Sequence, residues 1–169
     1  MTMFALDETW TPAYIALGSN LNNPAGQIVQ AIEHIKQIRD TRIIAQSSLY
    51  KSVPLGPQDQ PEFVNAVIGV LTRLDAISLL AELQAIEKKM GRVPPAQRWG
   101  ARVIDLDILL HGESRSNSAE LLLPHPEMHK RNFVMIPLAE IAPALGIPAH
   151  GTASRVAEKL GSVGLRKRA

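Results

Sequence analysis

Apolar and polar positions recur with two periods along this chain, and each change of period marks an element. Residues 13–19, AYIALGS, form a short apolar run closed by Gly18-Ser19-Asn20 and predict a first strand. Asn23 as a cap and Pro24 at the first helical position then open a helix. Ile28, Ala31, Ile32, Ile35 and Ile38 recur on one of its faces. Residues 42–52, RIIAQSSLYKS, predict a second strand, and 63–74, FVNAVIGVLTRL, a Val-rich third. Between them VPLGPQDQP, with three prolines and a glycine, excludes regular structure. Asp75 caps a second helix whose stripe is Leu79, Leu83, Ile86 and Met90 and whose stop is Gly91. A long loop, GRVPPAQRWGAR, leads to a fourth strand over 103–112, VIDLDILLHG.

The order β-α-β-β-α-β predicts an α+β fold: a ferredoxin-like core with one antiparallel sheet, two helices packed on one face, and a C-terminal extension. The extension reads as a short LLLPHP segment, a helical turn around PLAEIAP and a polar tail ending LRKRA. With no internal repeat and no linker in 169 residues, one domain is expected over 1–169, its core spanning roughly 13–143.

The fourth strand carries two residues that strands usually avoid. Side chains alternate between faces, so Ile104, Leu106, Ile108 and Leu110 share one apolar face and Val103, Asp105, Asp107 and Leu109 the other. The two carboxylates therefore point the same way, with Cα atoms roughly 6.5–7 Å apart. Like charges at that spacing call for a cation, and a rigid carboxylate pair suits Mg²⁺, which completes its shell with phosphate oxygens and water. Alone, a D-x-D pair on a solvated sheet face carries no chemistry. Its neighbours change the reading. Residues 88–102 hold Lys88, Lys89, Arg92, Arg98 and Arg102 and no acid. The two lysines suit the C-terminal end of the second helix and need no ligand. The three arginines beside a metal-binding pair form the other half of a polyphosphate site. No Walker A and no G-x-G-x-x-G pattern occurs, so neither a P-loop nor a dinucleotide fold accounts for it.

Composition narrows the classes. A net charge of +2 is too mild for a nucleic-acid field, and the absence of cysteine excludes thiol catalysis, disulfides and cysteine–zinc sites. The N-terminal MTMFALDETWTP lacks the basic and apolar regions of a signal peptide, and no apolar run approaches the roughly 20 residues of a membrane span. A cytoplasmic location with no membrane partner is expected. Phe63 and Asn65 share a face of the third strand, an aromatic and an amide that suit a flat heterocycle; Phe133 offers a second ring. Either phenylalanine also suits a core. Gln84 and Glu87 lie off the second helix's stripe, with solvent as their default. His125, held between two prolines near Arg131, suits either a ligand contact or a surface turn.

The stretches YIALGSNL (14–21), SSLYKSVPLGPQDQPEFVNAV (47–67), GRVPPAQRWGARVIDLDILL (91–110) and LPHPEMHKRNFVMIPLAEIAP (123–143) together resemble the 6-hydroxymethyl-7,8-dihydropterin pyrophosphokinase family. The resemblance implies transfer of a pyrophosphoryl group from ATP to the pterin hydroxymethyl with release of AMP, by a monomer acting on small molecules. It implies two Mg²⁺ ions on Asp105 and Asp107, phosphate contacts from Arg92, Arg98, Arg102 and Arg131, and a nucleotide pocket with Gln84, Glu87, Trp99, Ile108 and His125. It implies a pterin pocket of Ser52, Leu55, Phe63, Asn65 and Phe133, with Arg92, Arg102 and Asp107 nearest the chemistry. Pro94 stands where many members carry an arginine, and Ala101 replaces a usual proline. Glu120 and Leu122 occupy positions that contact nucleotide only in some members and are left out. The two Pro/Gly-rich loops, around 53–61 and 91–102, are expected to close over bound substrates. On the carboxylate pair alone, a metal-dependent nuclease or a sugar-nucleotide transferase stays open. An RNA-binding module is disfavoured by the 4% aromatic content.

Overall fold

The computed structural model of the chain describes residues 9–93 and 100–168. The first half runs β1 (Thr11–Ser19), α1 (Pro24–Ile35), β2 (Thr41–Gln46), β3 (Tyr50–Ser52), β4 (Phe63–Thr72) and α2 (Ala76–Lys89). The second half runs β5 (Asp105–His111), β6 (Ser116–Asn117), β7 (Leu122–Leu123), α3 (Asn132–Ile141), β8 (Gly146–Ile147), β9 (Gly151–Thr152), α4 (Ala153–Leu160) and β10 (Leu165–Lys167). The main sheet has the order β10-β3-β4-β1-β5, with β2 also on β4, and every pairing is antiparallel.

The sequence-level caps hold. Asn23 adopts a left-handed conformation and its side chain accepts from Gly26 N; Asp75 Oδ1 accepts from Ser78 N at 2.8 Å. Gly91, at φ +90°, ends α2 and turns the chain so that Arg92 N donates to Glu87 O at 3.0 Å. The α1 and α2 stripes pack on Ala13, Ile15 and Leu17 of β1, on Ala66, Ile68 and Val70 of β4, and on Leu106 and Ile108 of β5. Each fully buried Ile or Leu on this face contributes about 1.5–3 kcal/mol.

Four expectations are corrected. The predicted strand over 42–52 is two strands, β2 and β3, separated at 47–49. Ser47 accounts for the break, because its hydroxyl, in place of a backbone carbonyl, accepts from Val67 N at 2.9 Å. The fourth strand starts at Asp105 rather than Val103. The register against β1 shifts at Leu109, so that Tyr14 faces Leu110 while Ile15 faces Ile108. This bulge turns Leu110 onto the same face as Leu109, breaking the strict alternation. Finally, helices cover both faces of the sheet. The segment beyond residue 143, expected to be a polar tail, forms α4 and β10. Ala153, Val156 and Ala157 of α4 pack with Val134, Met135 and Leu138 of α3 over Val67, Leu109 and Leu110.

Candidate active site

The α3/α4 layer stops short of one end of the sheet. The strand ends left open there carry Gly18 from β1, Phe63 and Asn65 from β4, and Asp105 and Asp107 from β5. All five line one pocket. The alternation that buries Leu17, Ala66 and Leu106 on the α1/α2 side thus presents their polar neighbours to this space. Gly18 keeps its floor low: a Cβ there would sit 3.5 Å from Asn65 Oδ1 and 3.9 Å from Phe63 Cδ1, inside the pocket. Ser52, Leu55 and Phe133 complete the expected set, joined by Val53 and Val134. Asn65 is buried and oriented: its Nδ2 donates to Ser52 Oγ at 2.8 Å and to Tyr50 O at 3.5 Å, which leaves Oδ1 as the acceptor toward the pocket. Arg131 lies over the Phe133 ring, its Cζ 5.8 Å from the centroid.

A second pocket opens between α2, β5 and the 119–126 segment. Gln84, Glu87, Arg92, Ile108, His125 and Arg131 line it. Glu120, Leu121, Leu122 and Leu80 line it too. Arg102, Asp105, Asp107 and Arg131 belong to both pockets, and the carboxylate pair stands where they meet.

Charges are tightly arranged at that junction. Arg102 Nη1 lies 2.9 Å from Asp105 Oδ2, and Arg92 Nη2 3.4 Å from Asp105 Oδ1. Burial, reinforced by the charges of Asp105 and Glu87, pushes the Asp107 carboxyl up to about 7; Arg131 and Arg102 offset only part of this. The buried Nε atoms of Arg92 and Arg102 have no hydrogen-bond partner among the described residues. Among the described residues no group of three or more His, Asp or Glu side chains forms a ready metal cage.

Glu87 departs from the solvent position expected of it. It is buried: Oε2 accepts from Leu106 N at 2.7 Å and Oε1 from Arg92 Nη1 at 3.0 Å. Burial raises its pKa, and the bonds from Leu106 and Arg92 offset this only in part. β5 is the last strand of the sheet, so Glu87 satisfies an outward amide that no neighbouring strand can reach and aims Arg92 at Asp105. His125 is set by the same edge, its N donating to Leu109 O at 3.0 Å. Its Nδ1 accepts from Glu127 N at 3.1 Å, so the neutral ring carries its proton on Nε2. Burial and Arg131 lower its pKa, which keeps it neutral.

Asn20 is a site residue that sequence reasoning passed over. It is buried: Oδ1 accepts from Arg102 N at 2.8 Å, and Nδ2 donates to Gln60 Oε1 at 2.9 Å and Pro61 O at 3.0 Å. One amide therefore ties the end of β1 to both flanking loops. The G-S-N ending of the first strand was its only trace. Arg98, Trp99 and Pro94 lie outside the described residues, as does the middle of the 91–102 loop.

Comparison with known proteins adds a separate line. A family model described as 7,8-dihydro-6-hydroxymethylpterin-pyrophosphokinase (HPPK) matches residues 14–143. The chain is 52% identical over 136 residues to a 2-amino-4-hydroxy-6-hydroxymethyldihydropteridine pyrophosphokinase of Haemophilus influenzae, covering 80% of this chain and 84% of that one. A protein of the same description from Pseudomonas aeruginosa is 50% identical over 135 residues, with 80% and 83% covered. Among solved structures, a Plasmodium falciparum HPPK-DHPS variant with pterin and p-hydrobenzoate superposes with a TM-score of 0.73 at 14% identity. That match covers 96% of this chain and 48% of the other, so this chain spans about half that protein's length and the likeness is one of fold.

Proposed function

The chain belongs to the 7,8-dihydro-6-hydroxymethylpterin-pyrophosphokinase family and is a pyrophosphokinase of folate biosynthesis; on that premise we propose where its substrates lie and which residues act on them. The ring of 6-hydroxymethyl-7,8-dihydropterin lies in the first pocket, and ATP enters from the second. A pyrophosphoryl group passes between them at Asp105 and Asp107, releasing AMP. The observation that carries this reading is the shared wall: four charged residues, Arg102, Asp105, Asp107 and Arg131, line both pockets.

Phe63 and Phe133 stack on the two faces of the pterin, and Asn65 Oδ1 accepts from its donor edge while the Ser52 hydroxyl, already accepting from Asn65, donates. Leu55 closes the outer side. On the nucleotide side Ile108 and Gln84 meet the ATP, and His125 Nε2–H donates to it. The guanidinium groups of Arg92, Arg102 and Arg131, which all line this pocket, favour a polyphosphate. Arg98 and Trp99 are assigned to the same nucleotide by resemblance. Glu87 acts by holding Arg92, since both its oxygens are engaged.

The donor set fits Mg²⁺ carried in with the nucleotide. Two carboxylates on one strand face, the raised pKa of Asp107 and the lack of a three-ligand cage among the described residues suit a hard cation that takes its other oxygens from phosphate and water. Asp105 and Asp107 would hold such ions, two in number by resemblance, and the metal would supply neutralisation of phosphate charge and alignment of the triphosphate. The protein's own residues fix the attacking hydroxymethyl by holding the ring, and hold the polyphosphate by its oxygens. Effective concentration supplies much of the rate. The 53–61 loop closes over the pair to exclude water.

The test is to incubate the protein with MgATP and the reduced hydroxymethylpterin and identify the nucleotide product. AMP is expected; ADP would mean simple phosphoryl transfer and would overturn the reading. Unchanged amide exchange in the 53–61 loop, on addition of an ATP analogue with pterin, would rule out closure.

A further inference from the structure

Residues 161–168 lie past the 14–143 stretch shared with the family, yet they are fastened to both walls of the first pocket. β10 pairs antiparallel with β3, Leu165 opposite Ser52 and Lys167 opposite Tyr50. Backbone bonds extend the pairing at each end: Val53 N donates to Gly164 O at 3.2 Å, and Arg168 N to Leu49 O at 2.8 Å. Gly164, at φ +75°, permits the close approach, since a Cβ there would meet Val53 Cγ2 at 3.2 Å.

Two side-chain ties complete the attachment. Asn132 Nδ2 donates to the carbonyls of Gly161 at 3.1 Å and Val163 at 2.9 Å, which joins the segment to the first residue of α3, beside Phe133. The Arg166 guanidinium forks onto Glu62, Nη2 to Oε1 at 2.9 Å and Nη1 to Oε2 at 3.1 Å. Glu62 immediately precedes Phe63.

We propose that residues 161–168 are a positioning strap for the pterin pocket, holding Ser52 against Asn65 and setting Phe63 and Phe133 at their spacing. The claim rests on reading the pterin into the first pocket. None of the residues lining that pocket belongs to the strap, so it acts through others. β3 has only three residues, and a strand that short with one outer side unpaired opens readily. β10 makes it an inner strand, which keeps Ser52 Oγ within 2.8 Å of Asn65 Nδ2. The Arg166–Glu62 pair is exposed and contributes little to folding. Its effect is local, at the end of the 53–61 loop and the start of β4. Asn132 does the same for the Phe133 wall.

The experiment uses the full-length Asn132→Ala/Arg166→Glu variant, which releases the strap at both side-chain ties. Pterin affinity is read by fluorescence titration with 6-hydroxymethylpterin, alongside steady-state kinetics. The pterin Kd and KM should rise about tenfold, while KM for ATP and kcat at saturating pterin stay within about twofold. Amide exchange at Val53 should quicken. In a separate series, Arg166→Glu alone weakens pterin binding and Glu62→Arg added to it restores binding. Unchanged pterin affinity in the Asn132→Ala/Arg166→Glu variant, equal losses for both substrates, or a charge swap that fails to restore binding would each overturn the strap. Phe63→Ala separates the two claims. If it weakens pterin binding and the strap variants do not, the strap alone fails; if it too has no effect, the pocket assignment fails and the strap with it.

Discussion

The two faces of the sheet are built from neighbouring residues of the same strands, and they do opposite work. On the α1/α2 face, Ile15, Leu17, Ile68, Leu106 and Ile108 are sealed under two helices. On the other face, one residue along in each strand, the α3/α4 layer covers Val67 and Leu109 but leaves Gly18, Asn65, Asp105 and Asp107 open. The closed face supplies folding free energy. It can therefore hold polar groups on the open face in positions they would not choose for stability, such as two carboxylates one residue apart. A strand period of two separates the two demands without a second domain.

That division can be broken from either side. The largest effect is expected from Asp107→Ala or Asp105→Ala: turnover should fall on the order of 10³-fold or more, with the circular dichroism spectrum unchanged. An active double variant would remove the carboxylate pair from the chemistry. From the sealed side, Leu83→Ala in α2 should cost about 2–5 kcal/mol of stability in denaturant titration, because it empties a fully buried position. Below the unfolding transition its kcat should stay near wild type, and a matching loss of kcat would mean that the two faces are not independent.

Asn20→Ala probes the point where the two demands touch. It strips the Arg102 amide and the Gln60 and Pro61 groups of a buried partner, at a cost of about 1–3 kcal/mol. Unlike Leu83→Ala, it should also raise KM for both substrates. The smallest effect belongs to Glu140, which links α3 to the β2–β3 junction. Burial works against its ionised form, but bonds from Tyr50 and Ser48 outweigh this and lower its pKa. A lowered folded pKa means the contribution is present above the ordinary carboxylate range and is lost as pH falls through the folded value. Glu140→Gln should flatten that part of the acid limb of stability, by at most about 1 kcal/mol given its solvent exposure.

Much of this arrangement was legible in the chain because it rests on local rules. Asn23 and Asp75 act through bonds to residues three positions away, so the helix starts were readable. Alternation alone put Asp105 with Asp107 and Phe63 with Asn65. What escaped depends on distant partners. Ser47 splits a continuous strand pattern because its hydroxyl meets Val67 from β4. The bulge at Leu109 depends on pairing with β1, and it moved Leu110 to the other face. Glu87 looked like a surface residue from its place on α2, because nothing nearby announces that Leu106 would offer an unpaired amide. Asn20 serves two loops far along the chain. In α4, only Ala153, Val156, Ala157 and Leu160 mark an apolar side, a stripe too thin to stand out in a polar segment.

The rims of the sheet have a bearing on how this protein behaves at high concentration. β5 ends the ladder on one side, and there Glu87 occupies the Leu106 amide while the backbone of His125 occupies the Leu109 carbonyl. The opposite rim is shared by β10, three residues long and carrying Arg166 and Lys167, and by β2, six residues paired with β4 and carrying Arg42. At the β5 rim these two bonds leave fewer free backbone groups onto which another chain could add strands, which is one way sheet proteins avoid fibre growth. The carboxylate that steadies Arg92 also guards this edge against aggregation.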